Sequence, residues 1–190
     1  VEGTGPAGAN SRLMKSIFRM GPPVVGKNFF PASIRGLPTW YEVRVSRDGY
    51  LARSGHVDVC VAMNAETYAG DLAGVAPGGY LVYDSTWPRS QQLQRDDVTV
   101  LGIPLAQLAN ENFDNARVRI LMKNMAYVGA LAALVNIDRD VIEQLLRETF
   151  ADKEKLIEAN LKAVDLGHDY ARQSFDCPLD LQLEPMSATD

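Results

Sequence analysis

The sequence predicts an α/β protein: an open, mostly parallel, Rossmann-like sheet with helices on both faces and a helical C-terminal part. Three observations lead there. Residues 57–63, 80–84 and 98–103 are short, nearly continuous apolar runs, the pattern of strands buried on both faces. A helical stretch at 65–73 separates the first two, as a parallel crossover requires. From Asn115 onward the apolar spacing becomes helical, over 116–136, 139–150 and 152–173.

The remaining elements follow in chain order. Gly3, Gly5 and Gly8 open the chain as a glycine-rich turn reaching Asn10, and Leu13, Ile17, Phe18 and Met20 then recur at near-helical spacing. Gly21-Pro22-Pro23 ends that helix. Residues 24–30 and 40–46 read as strands, the second with Tyr41, Val43 and Val45 alternating against Glu42, Arg44 and Ser46. Residues 31–38 form an exposed turn carrying Arg35, and Pro77-Gly78-Gly79 turns into the run at 80–84. Asp138 is placed to cap the helix at 139–150. The expected organisation is one domain over 1–175, followed by a linker or tail at 176–190 with two prolines.

The chain has 190 residues, enough for one well-buried core. Its net charge of −5 excludes the electrostatic profile of a general nucleic-acid binder. The charge is uneven: residues 1–55 carry +5 and the rest −10, which fits a local anion site and equally fits scattered solvated cations. Cys60 and Cys177 are far apart and form no CxxC pair, and His56 and His168 have no metal-ligand spacing, so no bound metal is expected. A buried thiol is the expectation for Cys60, and cysteine usage fits a cytoplasmic protein. The longest apolar stretch, 125–135, is too short to span a bilayer and reads as a core helix. No leader is read at the start, and the opening at Val1 before a glycine turn points to a segment of a longer chain.

Gly3-x-Gly5-x-x-Gly8 entering a helix lets backbone amides approach a phosphate at a helix N-terminus. A dinucleotide site also needs an acid about 20 residues later for the ribose. Lys27, Asn28 and Arg35 occupy that region, so NAD is disfavoured, while a phosphate-rich anion and a simple packing turn both remain open. Asp84-Ser85 fall at a strand's carboxyl end, where ligands bind in open sheets, although a structural role is the commoner use. His56 and His168 read as surface residues.

The run from Gly3 to Asn10, Gly26-Lys27-Asn28-Phe29-Phe30-Pro31, and Ser33-Ile34-Arg35-Gly36-Leu37-Pro38-Thr39-Trp40-Tyr41 resemble the gamma subunit or gamma domain of 2-oxoacid:ferredoxin oxidoreductases. So do Pro77-Gly78-Gly79-Tyr80, Val82-Tyr83-Asp84-Ser85, Lys123-Asn124-Met125 and the stretch from Gly129 to Leu134. The likeness covers about 170 residues in order. The Gly36 to Tyr41 variant is most similar to the domain fused ahead of an alpha subunit of the 2-oxoglutarate type, which would make residues 176–190 an interdomain linker.

The resemblance implies a share in oxidative decarboxylation of a 2-oxoacid to an acyl-coenzyme A, with alpha and beta subunits or domains as partners and ferredoxin or another acceptor taking the electrons. Thiamine diphosphate and an iron–sulfur cluster are implied in the partner domains; this chain has neither a GDG-type motif nor the cysteines for a four-iron cluster. What the resemblance assigns here is part of the coenzyme A site. Gly5, Gly8, Ala9 and Asn10 match the loop approaching coenzyme A, Ser33 and Arg35 match the next loop beside its phosphates, and Arg119 and Asn160 occupy comparable positions in related pyruvate enzymes. The 190-residue chain alone is expected to be inactive. The alternatives are an independent Rossmann-like nucleotide-binding enzyme and a scaffold domain without ligand.

Overall fold

The structure, a computed structural model, describes residues 6–29, 39–50, 52, 55–87 and 91–187. Helix α1 (Pro6–Arg19) begins earlier than expected, so that Gly8, Ala9 and Asn10 lie inside its first turns rather than in a preceding loop. Pro6 explains the shift, because its fixed φ suits the first helical position and its missing N–H has no helical partner to lose. First-turn amides have no carbonyl four residues back within the helix, so their donor character persists at the helix start.

Strands β1 (Val24–Phe29) and β2 (Trp40–Val45) pair antiparallel with each other, in register from Val24 opposite Val45 to Phe29 opposite Trp40. They form a separate hairpin, not members of the larger sheet. Val24, Val43 and Val45 pack against the main core, which accounts for the alternation along β2.

The expected parallel sheet is present with three strands in the order β3-β4-β5: β3 (Val57–Ala62), β4 (Val75–Asp84) and β5 (Thr99–Ile103). β4 starts five residues before the expected run, and an irregularity between Val57 and Val59 of β3 absorbs Pro77-Gly78-Gly79 within the pairing. A 3-10 turn at Ala65–Thr67 and helix α2 (Tyr68–Ala73) fill the β3–β4 crossover.

Both sheet faces are covered. Leu81 and Tyr83 of β4 join Tyr68, Leu72, Leu93 and Val98 in a smaller cluster on one face. Val82, Leu101 and Ile103 turn to the larger cluster built on α4 (Ala116–Val135), α5 (Arg139–Thr149) and α6 (Glu154–Ser174). Asp138 caps α5 as expected, its Oδ1 accepting from the Asp140 N–H at 2.8 Å. α6 starts two residues late because Asp152 adopts a left-handed φ of 66° that no helix continues.

Helix α3 (Leu105–Asn112) occupies a stretch assigned no element from sequence. Pro104 offers its N-terminus no side-chain cap. The donors are met from elsewhere: Asp84 Oδ1 accepts from the Ala106 N–H at 3.3 Å and Thr86 Oγ1 from the Gln107 N–H at 2.9 Å.

α4 is the axis of the core, with every residue from Asn124 to Leu134 buried. By length and composition it could cross a membrane, but 67% of its apolar window is buried inside the fold, as expected for a core helix. α6 lies against it backbone to backbone: a Cβ added at Gly129 would sit 1.9 Å from the Val164 carbonyl oxygen, and one at Gly167 1.8 Å from that of Ala126. α1 crosses to α5 through the Arg12 guanidinium over the Phe150 ring at 4.9 Å and the Arg19–Glu148 pair at 2.5 and 2.9 Å. Beyond α6, the Leu179, Leu183 and Met186 amides donate to Leu134, Val135 and Met20 carbonyls at 2.7 to 2.8 Å, laying this segment across the ends of α4 and α1.

Candidate functional site

The start of α1 meets the hairpin and the middle of α4 at one corner. Asn10, half-buried one turn into α1, accepts a hydrogen bond on Oδ1 from the hydroxyl of Tyr127 on α4. One turn further along α1, the Tyr41 hydroxyl of β2 lies 3.3 Å from Met14 Sδ. Gly26 of β1 permits this crossing, since a Cβ there would fall 2.2 Å from the Tyr41 hydroxyl and 2.6 Å from Met14 Sδ. Burial raises the Tyr127 phenol well above its ordinary range, and neighbouring Tyr41 adds to the shift. The Tyr41 phenol is raised by burial too.

Tyr41 pairs with Asn28, one position from the connected end of the hairpin at Phe29 and Trp40. The Tyr41 contact thus sets this part of β2 beside Met14, two turns into α1. Trp40 Nε1 donates to Asp71 Oδ1 of α2 at 3.1 Å, and Asp71 Oδ2 accepts from Thr67 Oγ1 at 2.6 Å, fixing the other side of that end. Gly5, Ser33 and Arg35 lie outside the described residues.

Of the remaining expected residues, Gly8, Ala9 and Asn10 sit together at this corner, with Ala9 fully buried. Arg119 is half-buried in the first turn of α4, its Nε donating to the Phe113 carbonyl at 2.5 Å. It precedes Tyr127 by eight residues, about 12 Å along the helix. Asn160 is fully buried on α6, where Nδ2 donates to the Leu156 carbonyl at 2.7 Å and Oδ1 has no hydrogen-bond partner among the described residues. It lies one turn before Val164, which faces Gly129, so on the order of 20 Å of α4 separates its level from that of Arg119. The fold therefore assembles the α1 residues beside β2 of the hairpin, and sets Arg119 and Asn160 at different levels of the α4–α6 pair.

Tyr127 and Tyr41 were not singled out from the sequence. A signal existed for Tyr127: a phenol within the apolar run 125–135 must find a polar partner once buried. Asp84 at the end of β4 is buried and fully engaged, accepting from the Thr86 N–H, Thr86 Oγ1 and the Ala106 N–H, with Lys123 Nζ at 3.7 Å. Its role is to tie β4 to α3 and α4. His56 is exposed, and His168 Nδ1 lies 3.5 Å from Asp169 Oδ1. Burial, and to a lesser degree Asp71, pushes the Cys60 thiol up to about 12. Cys60 on β3 and Cys177 beyond α6 belong to different parts of the fold, and no group of three or more His, Cys, Asp or Glu gathers among the described residues. This donor set does not fit an iron–sulfur cluster.

A parallel sheet covered on both faces by helices defines the class of α/β domains. Residues 1–170 match the family described as pyruvate ferredoxin/flavodoxin oxidoreductase, and the chain belongs to that family. It is 23% identical over 217 residues to the alpha subunit of 2-oxoacid:ferredoxin oxidoreductase 2 of Aeropyrum pernix, covering 93% of this chain and 33% of that subunit. The chain spans about a third or less of the length of the curated relatives it matches. Among solved structures, the 2-oxoglutarate:ferredoxin oxidoreductase of Magnetococcus marinus, with 2-oxoglutarate, coenzyme A and succinyl-CoA bound, superposes with a TM-score of 0.81 at 27% identity, over 96% of this chain and 31% of that one. The gamma subunit of a keto/oxoacid ferredoxin oxidoreductase from Geobacter sulfurreducens shares the fold, with a TM-score of 0.68 at 20% identity, over 87% of this chain and 90% of that one.

Proposed function

We propose that this chain is the gamma-type domain of a 2-oxoacid:ferredoxin oxidoreductase of the 2-oxoglutarate type. In this reading it contributes part of the coenzyme A site and helps hold the assembly together in the cytoplasm. Residues 1–175 are, in this reading, the domain proper and 176–190 a linker or tail, part of which packs back on the domain through Leu179, Leu183 and Met186. Decarboxylation at thiamine diphosphate, electron passage through an iron–sulfur cluster and delivery to ferredoxin or another acceptor belong to alpha and beta partner subunits or domains.

The observation that carries the reading is the corner itself. The two segments that the family resemblance assigns to coenzyme A are the start of α1 and the connection from Phe29 to Trp40. The Tyr41–Met14 contact, one residue from the end of β2 that leads into that connection, supports the reading. First-turn amides of α1 and the positive end of its dipole suit phosphate oxygens. Arg35 adds a charge-assisted, bidentate phosphate contact, and Ser33 a hydroxyl donor. The 2-oxoglutarate assignment is supported by the likeness to the Magnetococcus marinus enzyme. Arg119 and the fully buried Asn160, which the resemblance also assigns to coenzyme A, complete the reading from the α4 and α6 side.

The test is Arg35→Ala in the complete enzyme. Loss of one charge-assisted contact, about 1.5 to 3 kcal/mol, should raise the KM for coenzyme A roughly ten- to a hundredfold. The KM for the 2-oxoacid should hardly change, and Arg35→Lys should recover part of the loss. An unchanged KM for coenzyme A with full assembly would leave the scaffold reading in place. Turnover by the 190-residue chain alone would overturn the division of labour.

A further inference from the structure

Tyr127 stands out among the buried polar groups that the family resemblance does not assign. It is 6% exposed, it lies in the most apolar stretch of the core helix, and its hydroxyl reaches across to α1 to donate to Asn10 Oδ1. A phenylalanine would pack in the same space without needing a partner, so the hydroxyl is there for what it bonds.

The consequence for Asn10 is geometric. A carboxamide has its acceptor oxygen and its NH2 group on opposite sides of one planar carbon. Holding the oxygen toward α4 aims the NH2 group away from the core. Asn10 is only half-buried, and its Nδ2 has no acceptor among the described residues. With the oxygen free to rotate, the amide would present an acceptor to an incoming anion as readily as a donor, and an acceptor repels phosphate oxygens.

We propose that Tyr127 is a positioning residue that locks the Asn10 amide with its NH2 group presented as a donor to a phosphate or carbonyl oxygen of coenzyme A. This rests on the proposed coenzyme A site and adds the residue that sets the polarity of one of its contacts. The phenol remains a donor at every working pH, because its burial and its proximity to Tyr41 keep it protonated.

The test is a double-mutant cycle on the complete enzyme, with the dissociation constant of coenzyme A measured by calorimetry in the absence of 2-oxoacid. Asn10→Ala should weaken coenzyme A by about tenfold, and Tyr127→Phe by about three- to tenfold, the scale of one hydrogen bond. In the double variant the Tyr127→Phe effect should vanish, because there is no amide left to orient. Asn10→Asp provides a reading independent of any tyrosine variant: it still accepts from Tyr127 but replaces the NH2 group with a negative oxygen. It should therefore keep the thermal midpoint while weakening coenzyme A more than Asn10→Ala does.

The inference is overturned if Tyr127→Phe weakens coenzyme A equally in both backgrounds, or lowers the thermal midpoint with the affinity unchanged. It is also overturned if Asn10→Asp binds as well as the parent. The coenzyme A reading itself fails at this corner through a different result, Asn10→Ala binding with parental affinity.

Discussion

The α4–α6 seam and the corner where the β1–β2 hairpin meets α1 both bring a glycine against a neighbour, but different atoms stand in the way. At Gly129 and Gly167 the obstacle is a backbone carbonyl of the facing helix, itself held by the i to i+4 ladder and surrounded by buried Ala126, Ala130, Ala133 and Ala163. At Gly26 the obstacles are the tips of two long side chains, the Tyr41 hydroxyl and Met14 Sδ. Backbone cannot yield without moving a whole helix, whereas a side-chain tip can rotate away. The seam is therefore where stability resides, and the corner is a contact that can shift without unfolding the protein.

The largest effect is expected from Gly129→Ala or Gly167→Ala. Inserting one methyl against a carbonyl oxygen at under 2 Å forces the two helices apart, and overpacking of this kind costs about 3 kcal/mol. For a chain of this size that lowers the thermal midpoint by roughly 6 to 12 °C. The enzyme that still folds should bind coenzyme A with near-parental affinity. A variant with an unchanged midpoint would show that α4 and α6 are not in backbone contact.

How legible these two regions were in the sequence differs as well. The seam was readable: the helical periods at 116–136 and 152–173 and the run of small residues after Gly129 point to close helix packing. The corner was readable only in part. Gly3, Gly5 and Gly8 carry a recognisable spacing, but Tyr127 meets Asn10, and Tyr41 meets Met14, only by folding, across 117 and 27 residues. Helix α3 escaped for the same reason, since its N-terminal amides are met by Asp84 and Thr86, about 20 residues earlier, and no local cap marks its start. The hairpin's separation from the parallel sheet likewise depends on which faces β1 and β2 bury, which alternation along one strand does not specify.

A second perturbation on the stable side is smaller. Asp138→Ala removes the Oδ1 acceptor for the Asp140 amide at the start of α5. It should cost about 1 kcal/mol, read as a shift in the denaturation midpoint without a change in coenzyme A affinity. Asp138→Asn should recover most of the loss.

The pH dependence of the same half follows from Glu143 on α5. Hydrogen bonds from Arg139 and then Arg147 hold its carboxyl below the ordinary glutamate range, and Arg139 also pairs with Asp165 of α6 at 2.9 Å. A carboxyl with a depressed folded pKa stabilises the fold fully above its unfolded value, near pH 4.3, and loses that contribution as pH falls through the folded value. Glu143→Gln should therefore flatten the stability profile below about pH 4 and leave it nearly unchanged at pH 7 in slope. A slope below pH 4 identical to that of the parent would remove Glu143 from the account of acid sensitivity.

The smallest effect on stability is expected from Gly26→Ala, and it is the one that should move function. A methyl at this strand position recovers backbone entropy that glycine gives up on folding, worth about 0.5 to 1 kcal/mol. Against that, the methyl displaces the Tyr41 hydroxyl from Met14 Sδ, a contact of comparable size, so the thermal midpoint should change by no more than a few degrees. The displaced Tyr41 is one position from the hairpin's connected end, so the ends of the connection carrying Ser33 and Arg35 should shift relative to the first turns of α1. Because a phosphate held between two elements is sensitive to sub-ångström changes in their spacing, coenzyme A should bind several-fold more weakly in the complete enzyme. Met14→Ala combined with Gly26→Ala opens space for the displaced ring and should restore part of the affinity. Parental coenzyme A affinity in Gly26→Ala would mean that the hairpin and α1 contribute independently. A collapse of stability instead would place this corner in the same rigid class as the α4–α6 seam.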